Sequence, residues 1–304
     1  MGIRKNIRYP AYLEEKFDFP EFYRLRVSYP RPQIDDLEAA VKAAVVPQLE
    51  KIPLKDGDRV CIGVGSRGIS NISEIVTRVC AEIKKVGGQP FIIPAMGSHG
   101  GGTPGGQQKI LKSMGVTEEK CGCPVISSVD VRQIGTVFDE VPVHYAKEAL
   151  VVEHSICINR IKPHTKFKGA VESGVMKMLC IGMGKHQGAL SYHTWALKYG
   201  FYQLLAEMGQ AVSQKSNFRF GIGIVENAYD ETMLIQGLGA DELILKEEAL
   251  LKTAKENMPR LPVKAADVLI VQESGKEISG AGMDPNIIGR AADLMEDDFS
   301  VNFK

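Results

Sequence analysis

Apolar residues recur at helical spacing over residues 34–51 and again over 70–86, where Ser70 stands as a plausible N-cap. Between and after these stretches the pattern changes. Arg59-Val60-Cys61-Ile62-Gly63-Val64 and Pro90-Phe91-Ile92-Ile93-Pro94 are short apolar runs, which predict buried strands. Further strands are expected at 125–127, 155–159, 218–225 and 268–271, and further helices at 106–114, 202–214 and 241–257. Strand and helix alternate, with glycine near each strand exit. This predicts an α/β fold, a mostly parallel sheet flanked by helices.

The segment Glu256-Asn257-Met258-Pro259-Arg260-Leu261-Pro262 is the best domain boundary, because a helical pattern ends there, two prolines follow and a new strand is expected. Residues 1–258 are thus expected to form an N-terminal α/β domain, and 259–304 a linker and the start of a C-terminal domain. A tail of about forty residues is too short for a core of its own. It is expected to be the beginning of a truncated domain, or else an extension packed on the first domain.

Composition narrows the class. The 304 residues are 44% hydrophobic and 24% charged, as in a globular protein with a core. Lysine plus arginine equals aspartate plus glutamate at 37 each, so no net field recruits nucleic acid or an anionic membrane. The first residues are charged and carry no leader-like apolar stretch, and no apolar run approaches the roughly 20 residues that span a bilayer. A soluble cytoplasmic protein is expected. The six cysteines are scattered, and Cys121 and Cys123 lack the paired spacing of a zinc site. They are expected to be buried, reduced thiols.

In parallel sheets, sites form where loops leave the carboxyl ends of the strands. Gly65-Ser66-Arg67-Gly68, Gly97-Ser98-His99-Gly100, the segment ending in Pro163-His164, and Glu226-Asn227 all follow expected strands. Arg67 offers a planar fork for a carboxylate, or else an exposed charge. His99 stands among glycines that admit a close ligand, or else in a plain turn. The run from Pro163-His164-Thr165-Lys166-Phe167-Lys168-Gly169 through Lys177 to His193 holds three of the six histidines, His164, His186 and His193. Imidazole moves protons near neutral pH or binds a transition metal, and an amine in an apolar setting can carry a covalent group. Gly63, Gly65 and Gly68 fit a G-x-G-x-x-G spacing, yet at the ribose-binding distance of about 20 the acid, Glu82, falls within the expected helix and the next strand ends at Pro94-Ala95-Met96 without one, so a nicotinamide-dependent dehydrogenase is a weak rival. The G-x-S-x-G elbow of a hydrolase is absent.

Four patterns, Gly65-Ser66-Arg67, Gly97-Ser98-His99, the Pro163-His164 to Lys177 run, and the interval from Lys177 to His193, make the chain resemble the nickel-pincer-nucleotide-dependent lactate racemase family and its 2-hydroxy acid racemase and epimerase homologues. The resemblance runs from about Val27 onward. It implies that Lys177 carries a nicotinate-derived mononucleotide through a thioamide, and that His193 is the metal ligand. It implies that His99 and His164 are acid/bases on opposite faces of a small 2-hydroxy acid, and that Arg67, Gln272 and Lys276 bind this substrate. Cofactor-biosynthesis proteins would be partners. The reaction implied is inversion by reversible hydride transfer, which avoids a carbanion beside a carboxylate. Two departures bear on the substrate: the stretch between His164 and Lys177 carries the extra Lys166 and Lys168, and Val64 stands where the best-known racemases have an acid. A non-catalytic nickel- or nucleotide-binding homologue is the alternative.

Overall fold

The computed structural model describes residues 21–65, 68–275, 279 and 282–289. The strands are β1 (Arg59–Val64), β2 (Gln89–Pro94), β3 (Val131–Val137), β4 (Val141–Ala146), β5 (His154–Arg160), β6 (Phe218–Glu226) and β7 (Thr232–Gly239). The helices are α1 (Leu37–Leu49), α2 (Ile72–Lys85), α3 (Pro104–Ser113), α4 (Glu118–Cys121), α5 (Lys147–Leu150), α6 (Val175–Lys177), α7 (Lys185–Tyr199), α8 (Phe201–Lys215), α9 (Leu243–Glu256) and α10 (Pro285–Ile288). Five strands form one sheet in the order β2-β1-β5-β6-β7, and β3 and β4 form a separate hairpin. The first four pair in parallel, and β7 runs antiparallel at the edge. The fold is the expected α/β class with a mostly parallel sheet.

The strands read as apolar runs because both faces of the sheet are covered. Side chains alternate between two cores. Val60, Ile62, Val64, Ile92, Ile156, Ile158, Phe220 and Ile222 face α1 and α2. Cys61, Phe91, Ile93, Cys157 and Phe218 face α8, α9 and the β3–β4 hairpin. Each such aliphatic side chain, removed from water, contributes about 1.5–3 kcal/mol. Among the described residues, no helix is long and apolar enough to cross a membrane.

Several expectations need correction. Ser70 does not cap α2: Asn71 holds the cap position with φ 58°, without a capping side-chain bond. The Ser70 amide instead donates to Glu226 at 2.6 Å. Residues 125–127 do not form a strand. Only a single bridge joins Val125 to Ile92, because the chain touches the edge of β2 and leaves. Residues 268–271 are not a strand either; Val268 and Ile270 are 76% and 89% exposed. An apolar run becomes a strand only when a partner completes its ladder, and none pairs with it among the described residues. The hairpin, β7 and α7 were not anticipated. All six cysteines are buried and free.

Candidate active site

The sheet directs β1, β2, β5 and β6 toward one edge, so the loops after them converge there. After β5 the chain forms a closed loop. Lys162 and Ser173 bridge its base through two backbone hydrogen bonds of 2.8 and 3.2 Å. Glu172 is folded inward and fully buried. Its carboxylate accepts from the His164 amide at 2.7 Å and the Gly169 amide at 3.4 Å, and pairs with Lys255 of α9 at 2.7 Å. From the C-terminal side, Asn286 of α10 donates to the His164 carbonyl at 3.1 Å and accepts from Lys168. His164 is thus held from both sides of its loop.

Lys177 ends the short helix α6, which continues into a π-helical turn, Met178–Gly182. Glycines in the sheet allow this turn to lie against the strands. A Cβ at Gly221 would collide with Val175, one at Gly63 with Met183, and one at Gly65 with Met178. Asn159, at the end of β5, donates to the Gly174 carbonyl at 2.9 Å. Glu247 of α9 accepts from the Met176 amide at 2.9 Å. Gly63 and Gly65 are occupied by methionine packing, and α2 starts only at Ile72. The glycine fingerprint therefore serves helix–sheet contact, not a pyrophosphate.

His193 lies on the exposed side of α7. A chain of rings joins it to His164. Ring centroids are 4.4 Å apart for His164 and Phe167, 5.7 Å for Phe167 and Phe201, 6.2 Å for Phe201 and Tyr192, and 5.4 Å for Tyr192 and His193. Electrostatics link the same residues with Lys177. Burial, followed by the charges of Lys177, Lys162, His193 and Lys168, pushes His164 down to about 2. Burial, Lys177 and Lys166 lower His193 as well. The Lys166 amide donates to His164 Nδ1 at 3.1 Å, which fixes the neutral ring with its proton on Nε2. Neutral imidazole is the form that ligates a metal. An amine and two neutral imidazoles within one another's field therefore suit a lysine-tethered, imidazole-ligated metal group. Among the described residues, no group of three or more His, Cys, Asp or Glu side chains is placed to hold a metal ion by itself.

His99 is exposed on the loop after β2, where it caps a single 3-10 turn, Gly100–Gly102. Gln107 of α3 anchors this loop, donating to the Gly97 carbonyl at 3.0 Å and to that of His99 at 3.3 Å. A Cβ on Gly97 would meet Ile181 of the π-helical turn and Ala189 of α7, so the loop packs beside the segment that carries Lys177 and His193. Gln272 is exposed in an irregular stretch beyond α9. Arg67 and Lys276 lie outside the described residues. His154 is structural, 3.1 Å from both Asp58 and Arg219.

Sequence reasoning missed the buried residues beneath the site. Glu172 and Glu247 were not singled out, although Glu172 is the one acid in an otherwise basic loop. Lys185 was also missed. Its side chain is fully buried, its amine donates to the Pro94 carbonyl at 2.5 Å, and burial lowers it to about 8. It ties the start of α7 to the exit of β2.

The fold is shared with a lactate racemase. The match is to the lactate racemase apoprotein from Thermoanaerobacterium thermosaccharolyticum, with a TM-score of 0.53 and 16% sequence identity. It covers 72% of this chain and 55% of that one, so the chain spans little more than half the length of the racemase. At this identity the likeness establishes the fold. No protein-family model matches the chain, and no curated protein does.

Proposed function

We propose that this chain is a racemase or epimerase of a 2-hydroxy acid, with a nickel-pincer nucleotide attached at Lys177 and His193 as its protein metal ligand. The observation that carries the reading is that the charge of Lys177 acts on both His164 and His193 and helps to lower their proton affinity, although the three residues are separated in sequence. The likeness of fold supports it. When bound, the nucleotide supplies an acceptor for a Cα hydride, chemistry that no side chain offers.

The residues of the chain place the substrate and manage its hydroxyl proton. Arg67, Gln272 and Lys276 are assigned to the carboxylate and the pocket, with a bidentate grip from the guanidinium. His99 and His164 are assigned to opposite faces of the substrate, one for each enantiomer. His164 with its proton on Nε2 is a hydrogen-bond donor to a hydroxyl or keto oxygen. To accept a proton there it must release the Lys166 amide from Nδ1. Attachment through the Lys177 amine would make its nitrogen part of a thioamide and remove its positive charge, the first of the charges that hold His164 down. Residues 259–304 are assigned as the linker and start of a second domain, and the proteins that build and load the nucleotide as partners.

The test is a racemisation assay. Protein produced beside a nucleotide-making pathway is incubated with single enantiomers of 2-hydroxy acids and followed by chiral chromatography. Conversion that falls at least about 100-fold in His164→Ala is expected. Nickel-loaded protein that inverts no 2-hydroxy acid points instead to a non-catalytic carrier of the nucleotide.

A further inference from the structure

Away from the site, two thiols meet on the opposite side of the sheet. Cys80 of α2 and Cys123, two residues beyond α4, are both buried, and their Sγ atoms are 3.3 Å apart. The segment around Cys123 is clamped in place. Lys84 donates to the Gly122 carbonyl, the Ile92 amide donates to the Pro124 carbonyl at 2.8 Å, and the Val125 amide donates to Glu118 at 2.9 Å. A disulfide needs about 2.05 Å between sulfurs, so the pair must close by only roughly 1.2 Å. Cys121 is nearby but turned to Thr77, 3.6 Å from its hydroxyl.

We infer that Cys80 and Cys123 form an oxidation site, which a low-molecular-weight disulfide such as oxidised glutathione converts to an intramolecular disulfide. Cys123 is the attacking thiol. It is the more exposed of the two thiols, at 5% against 0%, and its contact with Cys80 and the nearby Lys84 lower its proton affinity against the opposing effects of burial and Glu118. Its thiolate attacks one sulfur of the small disulfide, forming a mixed disulfide and releasing one thiolate. Cys80 then loses its proton and attacks Cys123 Sγ, expelling the second thiolate. The two protons pass to the two released thiols. Two protein thiols are oxidised and one small disulfide is reduced.

The cross-link encloses residues 80–123, which include β2, the His99 loop and α3. Its effect is to staple the support of that loop to α2, independently of any cofactor. A closed loop of this size is expected to raise the melting temperature by roughly 5–10 °C.

The experiment treats the folded 304-residue chain with oxidised glutathione, alkylates it in denaturant and maps peptides without reduction. Expected is an intact chain lighter by about 2 Da, two hydrogens, before alkylation, and after it a map with Cys80 linked to Cys123, the other four cysteines alkylated, and full reversal by dithiothreitol. Cys80→Ser and Cys123→Ser abolish the link, whereas Cys121→Ser retains it. Six alkylated thiols after treatment, a persistent glutathione adduct without a cross-link, or a Cys121–Cys123 link overturns the inference. The wild-type map decides the question even where a serine variant fails to fold.

Discussion

The carboxylate of Glu247 accepts a hydrogen bond from the Met176 amide, 2.9 Å away, one residue before Lys177. Glu247 is on α9 and is 1% exposed. Its contact is possible because Gly174 has no side chain; a Cβ there would collide with Glu247 Oε1. The position of Lys177 is thereby set by an acid more than sixty residues away. The arrangement is costly for the carboxylate. Burial raises Glu247 to about 7, against the opposing pull of the Met176 and Val175 amides.

This gives a pH prediction with a definite sign. The folded pKa lies above the ordinary 4.5, so the folded protein keeps a proton that the unfolded chain loses. Stability from this group is full below 4.5 and falls as pH rises to about 7. Glu247→Gln, which cannot ionise, is expected to gain about 3 kcal/mol relative to wild type between acid and mildly alkaline pH. Urea unfolding at both pH values measures it. A constant difference between the two proteins would remove the strained carboxylate from the picture.

Glu172 is expected to behave differently, because it is satisfied. It accepts from two backbone amides and pairs with Lys255. Glu172→Ala leaves those donors without their partner and is expected to cost roughly 2–4 kcal/mol. Denaturant midpoints of Glu172→Ala, Lys255→Ala and the double variant should show coupling between the two side chains.

Gly63 tests what the glycine spacing is for. Its missing Cβ leaves room for Met183, with Ala95 and Cys157 close behind. Gly63→Ala is expected to destabilise by about 1–3 kcal/mol through overpacking. Titration calorimetry with NAD should show no binding to wild type. Tight NAD binding that the substitution abolishes would restore the dehydrogenase reading.

Asn286 makes a local contact, so its loss should be felt locally. Asn286→Ala removes the bond to the His164 carbonyl and the acceptor for Lys168. Global stability is expected to fall by about 1 kcal/mol or less. Amide exchange at residues 164–169 should accelerate while that of β5 stays unchanged. Unchanged exchange throughout would mean that α10 does not hold the loop.

The strands were legible where both faces are buried, as in β1 and β2, because a continuous apolar run records exactly that environment. The same signal misled at 268–271, where apolar residues lack a ladder. In β4, buried Val141, Val143 and Tyr145 alternate with half-buried Pro142 and His144, a period of two that went unread beside polar β3. Helix α7 escaped because Leu190 and Leu197 point outward and blur its apolar stripe. Lys177 and His193 stood out through chemistry and spacing. Glu172 and Glu247 did not, since which acid turns inward depends on donors distant in sequence or on loop closure. Ser70 shows the same limit, its amide being taken by Glu226 at the end of β6.

The most direct measurement is intact and peptide mass spectrometry of the protein produced in a host shown to load a known racemase. A nickel-containing mononucleotide adduct mapped to Lys177, absent from Lys177→Ala, is the predicted result. An unmodified Lys177 in that host would contradict the proposed attachment of the nucleotide, and with it the racemase reading.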